Sequence, residues 1–322
     1  MDQNQIISVS RISVLFLALG IAAWLDHKQR RVPNDFWITW SKPAIFLWTL
    51  DLLNQDAQWY VYATAAGMVA YASIAVIGRP TLNDISQGNK MDIIVSIWYL
   101  FGLLGIVHGA NLHGEYAIDV LNGSASEDAT LWWLTVSVAL PIFLVDSAWR
   151  LRLIHGGADA KCVMWVAILI PNWGAVPVYF PKESLISLPP SIALLMWGGV
   201  TFLLLPILFV IFNFMRGGGP FRLLWHAYKM DLEQAMKKHV WILTTIVDMP
   251  SGEKRIVHKT RAPSRTPTQK ELEYLVEELR NNDVETVWVT PKLPLLVFLW
   301  PAIIPLIIVG GPMAFIMPLL GI

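Results

Sequence analysis

The sequence predicts an α-helical polytopic membrane protein with about eight transmembrane helices and a small cytoplasmic α+β segment. The first observation is compositional. Of the 322 residues, 55% are hydrophobic and only 15% are charged, which leaves too little polar surface for a soluble protein of this length. The second is the set of 16 tryptophans, because indole rings favour the interfaces of a bilayer and several of these lie near the ends of apolar stretches.

Eight stretches are apolar over roughly the 20 residues that a spanning helix needs. The predicted spans are 5–25, 36–53, 59–77, 92–110, 130–150, 161–180, 190–215 and 293–320. The second is the weakest, since Lys42 and Asp51 interrupt it, although both lie close enough to an end for their charges to snorkel to the interface. The first is followed by a basic run and is long enough to span, which indicates an uncleaved anchor rather than a signal peptide.

The sequence predicts three parts: a transmembrane domain of about seven spans at 1–215, a cytoplasmic α+β segment at 216–291 and a last transmembrane helix at 292–322. Glycine and proline within residues 216–220 are expected to end the seventh predicted span, because neither residue continues a helix well. Within the cytoplasmic segment we expect, in order, a helix at 221–238, a strand at 240–247, a turn at 250–252, a return strand at 255–258, a helix at 268–281 and a strand at 287–290. Thr268 and Glu271 have the spacing of a capping box for the second helix.

The distribution of basic residues predicts the orientation in the membrane. Lysines and arginines follow span one, lie between spans three and four, and surround the junction of spans five and six, whereas the opposite loops are nearly free of them. Because cytoplasmic loops carry the excess of basic residues, these three loops should be cytoplasmic and both termini should lie outside. Four spans separate Asp26 from Asp159, so both aspartates should emerge at the cytoplasmic face.

Composition also limits the partners and cofactors. The formal net charge of zero argues against a nucleic-acid partner. The single cysteine, Cys162, excludes a disulfide within the chain and a multi-cysteine zinc site. We therefore expect a protein that lies in the lipid bilayer, and the sequence leaves its oligomeric state open.

Two aspartates at the ends of predicted spans have matching surroundings. Asp26 and Asp159 are each followed two residues later by a lysine, Lys28 and Lys161. A carboxyl group at the edge of a bilayer is costly unless it is paired or used. Two carboxyl groups that share one proton can activate water with the ionised member and polarise an amide carbonyl with the protonated one, so the pair is a candidate catalytic dyad.

Each neighbouring residue also has a structural interpretation. Gly156 and Gly157 would let an extended substrate backbone approach Asp159, but a tight turn before span six would explain them equally well. The two lysines would support the dyad with positive charge or simply reach lipid phosphates. Pro33 and Asn34 are expected to end one segment and cap the next.

These residues resemble the signatures of the prepilin peptidase family, membrane aspartic proteases of the GxGD type. The first signature, an aspartate followed by a basic stretch and an Ile/Val-Pro-Asn, is matched by Asp26, by Lys28 and by residues 30–34. The second is matched by Gly156, Gly157 and Asp159, with Ala158 standing where the motif has its second glycine. The chain is most similar to the archaeal preflagellin (prearchaellin) peptidases, which have a hydrophilic cytoplasmic segment before the last span, and residues 285–294 resemble the family at that junction. Relative to about six spans in those proteins, a pair at 59–110 is additional here.

The resemblance implies an activity, a substrate and a site. The activity would be removal, at the cytoplasmic face, of a short basic leader from archaellin or type IV pilin-like precursors, with Asp26 and Asp159 as catalytic residues and no cofactor. Which precursor is cleaved stays open. Acidic groups would receive the leader, and Asp35, Asp231 and Glu233 are candidates that also fit the role of solvated charges.

Three other functions stay open at this stage. A transporter or channel also places aspartates within membrane helices and breaks helices at glycine. A related GxGD protease that cuts general transmembrane helices usually carries Tyr-Asp and Pro-Ala-Leu, whereas Leu25 precedes Asp26 here and no Pro-Ala-Leu occurs. A non-enzymatic platform for filament assembly would not need either carboxylate.

Overall fold

The computed structural model describes residues 3–154, 156–180, 187–250, 253–263, 265 and 267–319. It divides into two compact units, 1–199 with 294–322 and 200–293. The domain boundaries expected from the sequence, after 215 and after 291, stay predictions. The turn expected at 250–252 extends beyond the described residues.

Helices make up most of the described chain. They are α1 (Gln3–Gln29), α2 (Asn34–Asn54), α3 (Trp59–Ile77), α4 (Leu82–Ser86), α5 (Lys90–His113), α6 (Ala117–Leu121), α7 (Glu127–Ser137), α8 (Ala139–Arg150), α9 (Gly157–Leu169), α10 (Pro190–Leu203), α11 (Leu205–Met215), α12 (Phe221–Leu224), α13 (Leu232–Lys237), α14 (Gln269–Arg280), α15 (Leu296–Val309) and α16 (Met313–Leu319). The strands are β1 (Tyr228–Asp231), β2 (Val240–Ile242), β3 (Thr244–Asp248), β4 (Lys254–His258) and β5 (Thr286–Pro291).

Five helical segments within the described residues are long and apolar enough to cross a membrane. They are Gln3–Gln29, Trp59–Ile77, Lys90–Leu121, Glu127–Arg150 and Pro190–Met215. The predicted membrane character is thus supported, but the count of eight spans is not confirmed. Helix α2 is long enough but carries Asp35, Lys42 and Asp51, while α9 has 13 residues and α15 has 14. Helix α9 ends well before the expected position 180, because Pro171 offers no N–H to continue it.

Helix α9 lies at the centre of the first unit. It packs against α1, α2, α3 and α8, and every residue from Cys162 to Ile170 is at most 3% exposed. A helix that is apolar on all sides must be surrounded by others or by lipid. Because four neighbouring helices hold α9 in place, they also fix the position of its first turn, which carries Asp159.

The additional pair of helices, α3 and α5, packs closely through glycines. A Cβ atom built on Gly102 would lie 2.3 Å from Cα of Gly67, and one on Gly105 would lie 2.6 Å from the backbone of Thr64. Small residues at such a crossing let the two backbones approach, which is the usual way that membrane helices associate. The pair therefore forms a tight hairpin-like element.

A buried ion pair joins α1 to α2. Arg11 is fully buried, and its Nη2 lies 2.9 Å from Oδ2 of Asp51, whose side chain is 16% exposed. The same nitrogen donates to the carbonyl oxygen of Leu47 at 3.3 Å. Asp51 therefore pairs with an arginine of α1 that lies 40 residues earlier in the sequence, while the expectation that its charge reaches the interface stays a prediction.

The second unit contains two small antiparallel sheets. One has the strand order β1-β5-β2, and the other pairs β3 with β4. The predicted return strand at 255–258 is confirmed as β4, and the predicted strand at 287–290 is confirmed as the centre of β5. The expected strand at 240–247 is interrupted at Leu243, whose backbone N–H donates to the carbonyl of Trp288, so its two halves join different sheets.

The helix expected at 221–238 was wrong. Only residues 221–224 and 232–237 are helical, and Tyr228–Asp231 between them form β1. This strand pairs with β5, with Tyr228 opposite Val289 and Asp231 opposite Thr286. Pairing with a strand nearly 60 residues away outweighs the local helix propensity of this segment.

The predicted capping box on α14 is confirmed. The Thr268 hydroxyl accepts the N–H of Glu271, and the Glu271 carboxylate accepts the N–H of Thr268. This backbone hydrogen bond, together with the nearby Arg265, lowers the pKa of Glu271. Val276 and Leu279 then pack on Val287 and Val289 to close the small core of the unit.

We expect Asp51→Ala to destabilise the protein strongly, because it leaves the guanidinium of Arg11 buried without its counter-charge, at a cost of about 3–5 kcal/mol. Thermal unfolding in detergent measures the effect. The control is Glu233→Ala, which removes an ion pair with Arg280 whose side chains are both more than half exposed and should leave the melting temperature unchanged. Equal stability of Asp51→Ala and the control would contradict the assigned role of the buried pair.

Candidate functional site

Asp26 lies in the last turn of α1, where the apolar part of the helix ends. It is 7% exposed, and its backbone carbonyl accepts the N–H of Arg30 at 3.0 Å. Arg30 adopts a left-handed backbone conformation with φ of 56°, which turns the chain out of α1, and its guanidinium lies within electrostatic range of the Asp26 carboxyl. The basic run after span one thus begins beside a buried carboxyl group.

Asp159 lies in the first turn of α9. Its Oδ1 atom is buried, and no hydrogen-bond donor among the described residues reaches it. Buried polar atoms in proteins nearly always have a partner, and exceptions mark sites of function or unseen solvent. An acceptor oxygen left open in this way can take a hydrogen bond from a water molecule or a substrate.

The fold brings the two aspartates into one neighbourhood. Helices α1 and α9 pack against each other, and the carboxyl groups of Asp26 and Asp159 lie within electrostatic range of one another. Like charges that approach one another disfavour double ionisation, which is the physical reason for considering the two carboxyl groups together.

A hydrogen bond links the two aspartate motifs. Lys161 donates from Nζ to Oδ1 of Asn34 at 2.7 Å, and Asn34 donates from Nδ2 to the carbonyl of Val76 at 2.9 Å. The expected capping role of Asn34 was wrong: Pro33 occupies the cap position of α2 without a side-chain cap. Asn34 instead joins α9, two residues beyond Asp159, to the end of α3.

The glycines before Asp159 differ in how much space surrounds them. A Cβ atom on Gly156 would lie 2.1 Å from Oδ2 of Asp159, whereas one on Gly157 would meet nothing closer than 3.4 Å, on the ring of Trp149. Gly156 caps α9 with φ of −85°, so the position does not require glycine for its backbone angles. The absence of a side chain at 156 leaves room for the carboxyl group itself.

The two remaining predicted residues, Lys28 and Ala158, are each close in the chain to one of the two aspartates. Lys28 places Nζ 4.7 Å from the centre of the Trp24 ring, a cation–π contact on α1. Ala158 is partly buried and packs against the hydrophobic core of the first unit. Of the predicted set, the structure therefore gathers Asp26, Asp159, Gly156 and Lys161, while Lys28 contacts its own helix.

A cavity of about 210 Å³ opens next to Lys161. It is bounded by α2, α3, α5 and α9, and its wall is mostly apolar. Members of that wall include Trp37, Ile45, Val69, Met91, Trp98 and Trp165, with Lys42 and Lys161 among the few polar ones. The sequence did not point to this cavity, because its wall is built from four helices that are distant along the chain.

Among the described residues, no three His, Cys, Asp or Glu side chains lie close enough together to hold a metal ion. Cys162 is buried as a free thiol. The chemical groups that the described part of the site offers include its two carboxyls, the Arg30 guanidinium, the Lys161 amine and the Asn34 amide.

Two comparisons with known proteins agree with the resemblance in the sequence. Residues 219–311 match the family described as Archaeal Peptidase A24 C-terminus Type II. A region of 150 residues is 29% identical to the preflagellin peptidase of Methanococcus voltae, and it covers 44% of this chain and 58% of that protein. The match thus spans little more than half the length of this relative. Over these regions the chain is therefore similar to archaeal A24 peptidases and to a preflagellin peptidase.

We expect Asn34→Ala and Lys161→Met to be coupled in stability, because each removes one partner of the same charge-assisted hydrogen bond. A double-mutant cycle on thermal or denaturant unfolding should give a coupling of about 1 kcal/mol. Pairing Asn34→Ala with Lys270→Met is the control, since Lys270 is an exposed residue on α14. If the changes in the free energy of unfolding caused by Asn34→Ala and Lys161→Met were strictly additive, the hydrogen bond would not contribute to stability.

Proposed function

Because the chain is similar to the archaeal preflagellin peptidases, we propose that it is a membrane aspartic endopeptidase. It removes the short basic leader from archaellin or type IV pilin-like precursors at the cytoplasmic face. The observation that carries the proposal is the neighbourhood of two carboxyl groups, Asp26 at the end of α1 and Asp159 at the start of α9, one of them with an open, buried oxygen.

The chemistry follows from a carboxyl pair that holds one proton. The ionised carboxyl accepts a proton from a water molecule, whose oxygen attacks the amide carbonyl, while the protonated carboxyl donates its proton to the carbonyl oxygen. Collapse of the tetrahedral intermediate breaks the C–N bond as a proton passes to the leaving nitrogen. The pair titrates as a unit, so neither aspartate is assigned permanently as the acid or the base.

The surroundings of Asp159 support the proposed reaction by positioning. Lys161 and Asn34 join the helix that carries Asp159 to the segment that follows Asp26. A catalytic dyad requires its two carboxyl groups to be held at a separation correct to a fraction of an ångström. Neighbouring residues that are fixed by hydrogen bonds and packing hold them there. The adjoining apolar cavity is suited to apolar side chains of the hydrophobic segment that follows a leader.

The three acidic candidates for receiving the basic leader are not equivalent. Glu233 is already paired with Arg280, and Asp231 accepts a hydrogen bond from Gln234 and lines a cleft together with Arg216, Lys229 and Lys238. Asp35 is exposed in the first turn of α2, directly after Asn34. Asp35 is therefore the acidic group among the three that we assign to leader recognition.

We expect Asp26→Asn and Asp159→Asn each to reduce cleavage at least about a hundredfold, because an amide cannot exchange the proton. Co-expression with a candidate precursor, read as the mass of the mature subunit, measures it. Membrane insertion of both variants should be unchanged, and Asp35→Asn should raise KM more than it lowers kcat. Full processing by either dyad variant would refute the assignment and leave a transporter or an assembly platform to be tested.

We expect Gly156→Ala to lose most of its cleavage activity, while the neighbouring Gly157→Ala retains it. The added methyl at 156 occupies the space of the Asp159 carboxyl, whereas the one at 157 makes an ordinary contact with Trp149. The same precursor assay compares the two, with protein levels in the membrane as the control. Equal activity of the two variants would contradict the geometry described for the first turn of α9.

A further inference from the structure

The second unit contains a cleft of about 590 Å³ that the proposed peptidase reaction does not use. One wall is formed by α11, where Leu205, Leu208, Phe209 and Phe212 follow the spacing of a single helix face. These residues belong to a segment that is apolar and long enough to cross a membrane. Leu208 is 58% exposed, so this wall is open to an apolar molecule.

The opposite wall is β1. Tyr228 stacks on Phe209 with ring centres 6.1 Å apart and meets the edge of Phe212 at 5.7 Å. Asn213 fixes the chain before the strand, since its side-chain amide donates to the carbonyls of Leu224 and Ala227. These contacts hold the strand at the membrane exit of α11 and give the cleft a fixed shape.

Basic residues line the polar end of the cleft, and one of them, Lys229, places Nζ 5.7 Å from the centre of the Trp288 ring. Arg216, Lys229 and Lys238 line it together with one carboxylate, Asp231, so the lining carries two net positive charges. The ion pairs between side chains of the described residues involve none of these three cations. Arg216 lies 4.3 Å from the centre of the Phe212 ring, which places a guanidinium at the boundary between the apolar wall and the basic end.

We propose that this cleft binds an anionic phospholipid of the membrane. Its acyl chain lies along Leu205, Leu208 and Phe209, and its phosphate lies among Arg216, Lys229 and Lys238. The volume is within the range of sites for molecules of this size, and basic groups next to a membrane helix attract anionic head groups. The basic leader of a precursor does not fit, because the same three cations repel it.

The test uses the full-length protein in detergent with an equimolar mixture of phosphatidylglycerol and phosphatidylcholine of identical acyl chains. Native mass spectrometry measures the ratio of the two lipids bound. Wild-type protein should favour phosphatidylglycerol by about tenfold or more, since each basic residue near the phosphate contributes roughly fivefold. This comparison needs no variant, and equal binding of the two lipids would overturn the proposal.

Two triple variants with the same change of charge locate the site. The cleft variant is Arg216→Gln with Lys229→Gln and Lys238→Gln, and it should lose the preference at least tenfold. The control is Lys254→Gln with Arg255→Gln and Lys270→Gln, three exposed residues on β4 and α14, and it should keep the preference within twofold. If the two triple variants lost the preference for phosphatidylglycerol equally, the cause would be a general effect of charge. If an equal concentration of soluble glycerol phosphate displaced the lipid, the cleft would be a site for free anions. Either result would overturn the proposal.

Discussion

The first unit depends on one constraint: a charged group buried within it needs a counter-charge from the chain itself, because lipid offers none. Arg11 and Asp51 meet this constraint between α1 and α2. In a more exposed position, Lys161 and Asn34 form a second polar link, between α9 and α2. Each pair is satisfied in one alignment of its two helices only, so the polar contacts favour that register, while apolar packing supplies most of the attraction between the helices.

The open oxygen of Asp159 is one of several buried polar atoms without a partner among the described residues, and among these atoms it alone belongs to a carboxyl group. The space beside that carboxyl group exists because position 156 has no side chain. The nearby Lys161 bonds to Asn34 instead. Keeping a buried acceptor without a protein partner costs stability, and such a cost is compatible with the proposed role of this carboxyl group in binding water and substrate.

Local sequence predicted what depends on local interactions. The apolar stretches marked most helices of the first unit, and the spacing of Thr268 and Glu271 marked the start of α14. The two aspartates were evident because Asp26 directly follows one apolar stretch and Asp159 directly precedes another. Contacts between distant segments were not predictable in this way. Tyr228–Asp231 form a strand because they pair with β5. Asn34 accepts a hydrogen bond from Lys161 and does not cap α2. The wall of the apolar cavity is formed by residues of four helices.

The close glycine contact between α3 and α5 has a consequence for substitutions at this crossing. Because Gly67 and Gly102 leave no space between the two backbones, neither helix keeps a matching surface when the other is removed. A side chain added at either glycine would meet backbone atoms, which cannot turn aside as a flexible side chain does. The crossing can accept a larger residue only if the two helices move apart along their length.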